Sequence, residues 1–223
     1  MDRSPSSAIK QLQLDAEKEP EKFWEREAEK VNWFRKWNRV FNWQNPTFRW
    51  FENGLTNISY NCLDLNVTRG LGEKTALVSE NENQERASYT YSELLSKVKG
   101  VAAAFRGLGV RKGDRIAIYM PTMPEAIIAM LATTRIGAIH IVVFAGFGSD
   151  ALSERIRLAG AKYLVTTDVT YRKGKRVDLQ SIVNAALSDP ASPVMKAVIL
   201  NRNDSLANIN GGKKIGWEQF LEQ

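Results

Sequence analysis

Two short segments of this chain have residue types that could bind a ligand. The segment Phe144–Gly148 reads F-A-G-F-G, and three of its five residues are Ala or Gly, so a ligand could approach its backbone closely. The segment Tyr171–Arg176 reads Y-R-K-G-K-R and carries four cations after the predicted strand Tyr163–Thr167. Cations beside an open glycine turn would suit a phosphate-bearing ligand, whereas the alternative is a solvated, lysine-rich loop.

Other chemistries find less support in the sequence. There is no G-x-x-x-x-G-K-[ST] loop and no G-x-G-x-x-G that opens a helix. One histidine and one cysteine cannot supply a usual set of metal ligands. His140 lies in an apolar run, where a core imidazole with one hydrogen bond is favoured over a catalytic base. The Gly-Lys segment Asn210–Lys214 resembles a phosphate loop only in composition, and a hairpin turn is favoured there.

Composition places the chain among ordinary globular proteins. It has 223 residues, 43% of them hydrophobic and 25% charged, with a net charge of +6. The cationic excess is concentrated in Lys162–Arg176, which favours a small phosphorylated ligand over nucleic acid. Neither a signal-peptide pattern nor an uninterrupted apolar window of about 18 residues occurs, so no membrane segment is expected. The single cysteine, Cys62, suits a reducing compartment, and a cytoplasmic location is expected.

Alternating strands and helices must position the two segments. From Val67 the pattern predicts strands at Thr75–Ser79, Ser88–Thr90, Arg115–Tyr119, Tyr163–Thr167 and Ala197–Leu200. Helices are predicted from the capping box at Thr90 to Gly109, from Pro124 to Arg135, from Asp150 to Leu158, over Leu179–Leu187 and over Trp217–Leu221. The apolar run between Gly137 and Phe144 predicts a central strand covered on both faces. The expected fold class is α/β, with a mostly parallel sheet and helices on both faces. If the strands before the two segments are parallel neighbours, the segments meet at one sheet edge.

An aromatic-rich segment precedes this pattern. Five of the six tryptophans lie between Trp24 and Trp50, and the spacing predicts a helix over Glu21–Asn38 that packs as an aromatic clamp. Residues 1–20 are predicted to be a mobile lead-in or a loosely docked helix. Residues 49–64 are predicted to be an irregular connector with a turn at Asn53-Gly54. The expected division is therefore residues 1–20, a helical, Trp-rich extension at 21–66, and an α/β domain at 67–223.

An ordered set of motifs carries a family resemblance. The motifs are W-F-E-N-G-L-T-N-I-S-Y-N-C-L-D (50–64), Y-T-Y-S-E-L (89–94), G-V-R-K-G-D-R-I-A-I-Y-M-P-T-M-P-E (109–125), R-I-G-A-I-H-I-V-V-F-A-G-F-G-S-D-A-L (135–152) and Y-R-K-G-K-R-V-D-L (171–179). From about Trp24 onward the chain resembles the N-terminal part of the AMP-forming acetyl-CoA synthetases and their propionyl-CoA and hydroxyacyl-CoA relatives. These enzymes belong to the acyl-adenylate-forming superfamily.

The resemblance implies a two-step reaction in which ATP and a short carboxylate form an acyl-adenylate and the thiol of coenzyme A (CoA) then displaces AMP. It also implies that Phe144, Ala145 and Gly146 line the CoA site. Arg172 and Lys175 would lie near the 3′-phosphate of CoA. Two departures from the family pattern bear on these positions: the family usually has two glycines at Ala145-Gly146, and more often an arginine at Lys175. A lysine keeps the charge but loses bidentate geometry, so CoA contact there is expected to be weaker.

The resemblance also implies what these 223 residues do not contain. The family's Ser/Thr/Gly-rich loop ending in Pro-Lys-Gly, its acyl pocket, its adenine-binding segment and its catalytic lysine would all follow Trp217–Leu221. The expectation is a truncated chain with part of a CoA site and no catalytic or metal-ligating residue, inactive alone, with ATP and Mg²⁺ used only by a full-length enzyme. The alternative is a non-enzymatic module that binds CoA or a partner. A sheet cut in mid-domain would leave apolar faces and strand edges uncovered, so a complementary C-terminal chain or self-association through the uncovered sheet is expected for a truncated chain. The identity of the carboxylic acid is left open.

Overall fold

The computed structural model describes residues 7–81, 84–202 and 212–223. The chain divides into two units, Met1–Asn57 and Ile58–Gln223, which are described separately. Three parts of the predictions lie outside the described residues: the first six residues of the lead-in, residues 82–83 at the tip of the first hairpin, and residues 210–211 of the predicted glycine turn. In the described part of the chain, no helix combines the length and apolar character needed to cross a membrane.

The first unit contains two helices and a hairpin. Helix α1 (Ser7–Lys18) and helix α2 (Pro20–Ala28) are followed by the antiparallel strands β1 (Arg39–Gln44) and β2 (Thr47–Glu52). A proline in its first turn begins α2, as proline's fixed φ allows. The helix ends at Ala28, so the prediction of a helix over Glu21–Asn38 is wrong beyond that residue.

Tertiary packing of aromatic rings explains the early helix end. The rings of Trp33 and Trp37 lie 5.0 Å apart, and each also lies within 5.5 Å of the Phe51 ring. Trp33 Nε1 donates a hydrogen bond to the Ala28 carbonyl at 2.8 Å. The tryptophan spacing therefore reflects a cluster built on irregular backbone rather than one face of a helix.

The connector that follows is more regular than predicted. Residues 47–52 form a strand, and Tyr60–Asp64 is π-helical, so the prediction of an irregular segment over 49–64 is wrong in these two places. The predicted turn is confirmed, because Asn53 has a φ of 62° and the Gly54 N–H donates to the Phe51 carbonyl at 3.0 Å.

The second unit is built on strands alternating with helices. A second π-helical segment, Val67–Leu71, precedes these elements. In chain order they are β3 (Thr75–Glu80), β4 (Arg86–Thr90), α3 (Tyr91–Gly107), β5 (Arg115–Tyr119), α4 (Pro124–Arg135), β6 (Ile139–Val142), α5 (Ser149–Ala159), β7 (Tyr163–Thr167), β8 (Val169–Arg172), β9 (Lys175–Asp178), α6 (Leu179–Leu187), β10 (Lys196–Leu200), β11 (Lys214–Gly216) and α7 (Trp217–Leu221). Five strands form one parallel sheet in the order β11-β10-β7-β5-β6. The pairs β3–β4 and β8–β9 are separate antiparallel hairpins. The predicted α/β class with a parallel sheet is confirmed.

Alternation along β5 explains why helices cover both faces. Ile116 and Ile118 belong to a buried cluster that contains residues of α3, α4 and α7. Ala117 and Tyr119 point the other way, into a cluster that contains residues of α5 and α6. Because successive side chains of a strand face opposite sides, one strand joins both cores.

One strand lies elsewhere than predicted. The apolar run before Phe144 forms β6, which is an edge strand of the described sheet rather than a central one. Ile139 and Val142 are 52% and 53% exposed. A run of β-branched residues favours a strand wherever it lies, so the pattern could not distinguish a covered strand from an open edge.

Local signals at helix ends are confirmed. Glu93 N–H donates to Thr90 Oγ1 at 3.2 Å, and Thr90 N–H donates to the Glu93 carboxylate at 2.8 Å, which completes the predicted capping box. Helix α4 has the bounds Pro124 and Arg135 that were predicted. Strand β11 was not predicted, because its three residues are too short to show a period.

A bidentate ion pair joins the π-helical segment to the end of α4. Arg135 Nη1 and Nη2 donate to the two carboxylate oxygens of Asp64 at 2.6 and 2.8 Å. The side chains of Arg135 and Asp64 are only 22% and 16% exposed. The hydrogen bonds from Arg135 lower the pKa of Asp64 below its ordinary value, although desolvation opposes them.

We expect Arg135→Ala to lower the free energy of unfolding by about 2 kcal/mol, because it leaves a largely buried carboxylate unpaired. Urea denaturation followed by circular dichroism measures the change. Arg86→Ala is the matched control: its pair with Glu80 is exposed, so its loss should leave stability nearly unchanged.

The effect of Arg135→Ala on stability is expected to depend on pH. A carboxyl group whose pKa is lower in the folded state stabilises the fold above its unfolded pKa, and that contribution disappears as the pH falls through the folded pKa. The stability difference between wild type and Arg135→Ala should therefore shrink as the pH is lowered below about 4. A difference that stays constant to pH 2 would assign the effect to packing of the arginine stem.

Candidate functional site

A tight turn follows β6 at the sheet edge. The Phe147 N–H donates to the Phe144 carbonyl at 3.0 Å and closes the turn, and Gly148 then caps α5. The Phe144 side chain is 61% exposed, and its ring meets the Phe147 ring edge to face at 5.8 Å. The predicted segment Phe144–Gly148 is thus an ordered turn that presents an aromatic ring to solvent.

The cationic segment after β7 is a hairpin rather than the predicted loop. Arg172 ends β8 and Lys175 begins β9, and the two are direct partners across a two-residue turn. Lys173 and Gly174 have φ values of 50° and 74°, as a type I′ turn requires. Because direct partners in an antiparallel pair lie on the same face, Arg172 and Lys175 project from one side of the hairpin.

The two segments meet at one edge of the sheet. Strand β5 pairs in parallel with both β6 and β7, so the carboxyl ends of these strands lie together. The guanidinium carbon of Arg172 lies 5.3 Å from the centre of the Phe144 ring. A β-carbon placed on Gly146 would lie 2.3 Å from Phe144 Cε1 and 2.8 Å from Arg172 Nη1. Only glycine fits this position while both side chains stay in place.

Four of the five predicted site residues line one open cleft of about 270 Å³: Phe144, Ala145, Gly146 and Arg172. Lys175 is not among the lining residues and is exposed beside Arg172 on the hairpin. The Ala145 residue also belongs to the buried cluster under the turn.

Tyr171 of the predicted cationic segment also lines the cleft, and sequence reasoning missed five further lining residues: Glu80, Asn81, Pro121, Thr122 and Thr170. The pair Pro121-Thr122 follows β5 after one residue, so the rule that ligands bind beyond the carboxyl ends of parallel strands could have found it. Glu80 and Asn81 come from the separate β3–β4 hairpin, and no local signal indicates where that hairpin docks.

The two charged groups that line the cleft differ in their partners, and this leaves the cation available to an anionic ligand. Arg172 contributes a cation to its lining, and Glu80 contributes a carboxylate. The Glu80 carboxylate accepts a hydrogen bond from Arg86 Nε at 2.5 Å, so Glu80 already has a cationic partner within the hairpin. Arg172 stacks on an aromatic ring, and among the described residues no ion pair is formed by it.

The surroundings of the single histidine, His140, differ from those of the cleft residues. His140 is on β6, its Nδ1 is buried, and in the described part of the chain Nδ1 has no hydrogen-bond partner. Burial lowers the pKa of this imidazole. Over residues 7–81, 84–202 and 212–223, no group of three or more His, Cys, Asp or Glu side chains is placed to hold a metal ion.

Comparison with known proteins gives two family matches. Residues 65–218 match the family described as AMP-binding enzyme. Residues 9–62 match the family described as acetyl-coenzyme A synthetase N-terminus.

Several relatives are similar to this chain over nearly its whole length. The acetyl-coenzyme A synthetase of Deinococcus radiodurans is 47% identical over 207 residues, which are 92% of this chain and 32% of that protein. The corresponding protein of Rubrobacter xylanophilus is 42% identical over 210 residues, which are 94% of this chain and 32% of that protein. The structure of acetoacetyl-CoA synthetase from Streptomyces lividans superimposes with a TM-score of 0.81 at 27% identity and covers 92% of this chain and 31% of that one. This chain therefore spans about a third of the length of these relatives.

Proposed function

Because this chain belongs to the AMP-binding enzyme family and matches the N-terminal part of the acetyl-coenzyme A synthetases, we propose that it carries part of the CoA site of an AMP-forming acyl-CoA synthetase. The observation that supports this most strongly is the meeting of the Gly146 turn with Arg172 in one cleft. Residues 21–66 would be the N-terminal extension of such an enzyme, and residues 67–223 part of its AMP-binding domain.

In this proposal each residue has a distinct role toward CoA. The Gly146 backbone lets the ligand approach the turn, and the exposed Phe144 ring offers an apolar face beside it. Arg172 supplies a charge for the 3′-phosphate, and Lys175 adds a second cation from the same face of the hairpin. The Ala145 side chain packs with the buried cluster under the turn, which supports the idea that its methyl group leaves the ligand's path open.

The acyl transfer itself requires groups beyond those in this sequence. The 223 residues contain no Pro-Lys-Gly motif of the kind that ends the family's phosphate loop. Without groups that stabilise charge developing at the α-phosphate, adenylate formation is not expected. We therefore assign ATP and Mg²⁺ to a full-length enzyme and propose that this chain alone is inactive. Its carboxylic acid substrate stays unassigned.

A non-enzymatic module that binds CoA or a partner chain is the alternative. The exposed Ile139 and Val142 on the β6 edge favour it, because an open apolar edge can accept another strand. Either a complementary chain or a second copy could supply that strand.

We expect Arg172→Ala combined with Lys175→Ala to weaken CoA binding about tenfold and dephospho-CoA binding less than about twofold, because only CoA carries the 3′-phosphate. Isothermal titration calorimetry with both ligands measures the two effects. Lys99→Ala combined with Arg106→Ala removes the same charge from α3 and should change neither affinity. Equal losses for CoA and dephospho-CoA would count against the phosphate role.

Gly146→Ala should weaken CoA binding about fivefold, since the added methyl group must displace the Phe144 ring and the Arg172 guanidinium. Gly148→Ala is the matched control: Gly148 has a φ of −78°, and no atom lies within 4 Å of a β-carbon placed there. Calorimetry measures affinity, and thermal unfolding verifies that both variants are folded. Equal affinities in the two variants would contradict the close approach of CoA to Gly146.

The purified chain should release no pyrophosphate above background when it is given ATP, Mg²⁺ and acetate, propionate or a hydroxy acid. A coupled pyrophosphate assay measures this, with a full-length acetyl-CoA synthetase as the positive control. Carboxylate-dependent turnover by this chain alone would refute the proposed inactivity.

A further inference from the structure

A buried tyrosine lies directly beneath the turn that lines the cleft. Tyr119 is the last residue of β5 and is fully buried, yet its hydroxyl donates to the Phe147 carbonyl at 2.6 Å. Strand β5 is the strand between β6 and β7, whose carboxyl ends carry the two halves of the cleft. The tyrosine is therefore placed to fix the turn to the sheet.

The Tyr119 side chain and backbone are themselves held in place. Its ring belongs to the buried cluster that includes Val143 and Ala145, the residues on either side of Phe144. Its carbonyl accepts a hydrogen bond from Thr166 Oγ1 at 2.8 Å. Burial raises the pKa of the Tyr119 hydroxyl, and the charge of Arg172 opposes this only in part, so the group stays a proton donor at neutral pH.

Three contacts converge on Phe147. Its N–H donates to the Phe144 carbonyl, its carbonyl accepts from Tyr119, and its ring lies under the guanidinium carbon of Arg155 at 4.3 Å. Phe147 is the residue after Gly146, so fixing its backbone also fixes the peptide that joins the two residues. A buried or half-buried carbonyl without its donor costs free energy, which gives the Tyr119 hydroxyl a measurable effect.

We propose that Tyr119 is a positioning residue for the CoA site: its hydroxyl holds the Phe147 carbonyl and so keeps the Gly146 backbone where the ligand can approach it. This inference rests on the proposed CoA site. It assigns Tyr119 no contact with the ligand, and its effect is transmitted through the turn rather than through Arg172.

The test compares Tyr119→Phe with Thr133→Val. Tyr119→Phe keeps the ring and removes only the hydroxyl. Thr133→Val likewise removes one buried hydroxyl that donates to a backbone carbonyl, here Ala129 at 2.7 Å in α4, and so controls for a general loss of stability. Hydrogen exchange over residues 144–148 and calorimetry with CoA and dephospho-CoA are measured on wild type and both variants.

We expect Tyr119→Phe to speed exchange over residues 144–148 and to weaken CoA and dephospho-CoA by the same factor, about fivefold. Thr133→Val should change neither. Unchanged exchange in Tyr119→Phe would overturn the inference, as would a loss confined to CoA, which would mean that the hydroxyl acts through Arg172. Failure of the wild-type chain to bind CoA would instead overturn the proposed function, because the exchange measurement needs no ligand.

Discussion

Parallel pairing of β5 with both β6 and β7 is the constraint on which the candidate site depends. It places three carboxyl ends at one edge, so the turn after β6 and the hairpin after β7 must lie close together. The resulting contact leaves no room for a β-carbon at position 146 while the Phe144 ring and the Arg172 guanidinium stay in place. The alternation of side chains along β5 also contributes to the site. It places Tyr119 on the face beneath the turn, whereas Ile116 and Ile118 pack in the core on the opposite face.

Features that depend on nearby residues could be predicted from the sequence. The capping box at Thr90 and Glu93 and the proline that begins α4 act within one helical turn, and both are present in the structure. The helix expected to continue to Asn38 instead ends at Ala28, and Trp33 and Trp37 pack on Phe51, a contact between distant parts of the sequence that overrides local helical spacing. The edge position of β6 could not be predicted either, because it depends on which strands pair with each other and not on the residues of β6 itself.

The candidate site likewise has some features that could be predicted from the sequence and others that could not. The sequence predicted that the two segments meet only if the strands before them are parallel neighbours. Strand β5 in fact lies between β6 and β7, and pairing of both strands with β5 still brings Phe144, Ala145, Gly146 and Arg172 into one cleft. The hairpin form of the cationic segment did not follow, although Lys173-Gly174 is suited to a tight turn. Glu80 and Asn81 reach the cleft from a hairpin outside the main sheet, so no argument from parallel strands could have included them.

The structure offers a physical reason why alanine can occupy position 145, where the family that the chain resembles usually has the first of two glycines. Gly146 lies where a β-carbon would strike the Phe144 ring and the Arg172 guanidinium, so a side chain there would disturb the cleft itself. Ala145 is a member of the buried cluster that also contains Val143 and Tyr119, where a methyl group adds apolar contact. Of the two positions, the one that tolerates a side chain is therefore the one that packs with the core. The turn can therefore lose one glycine and still leave the Gly146 backbone open to the cleft, as the proposed CoA site requires.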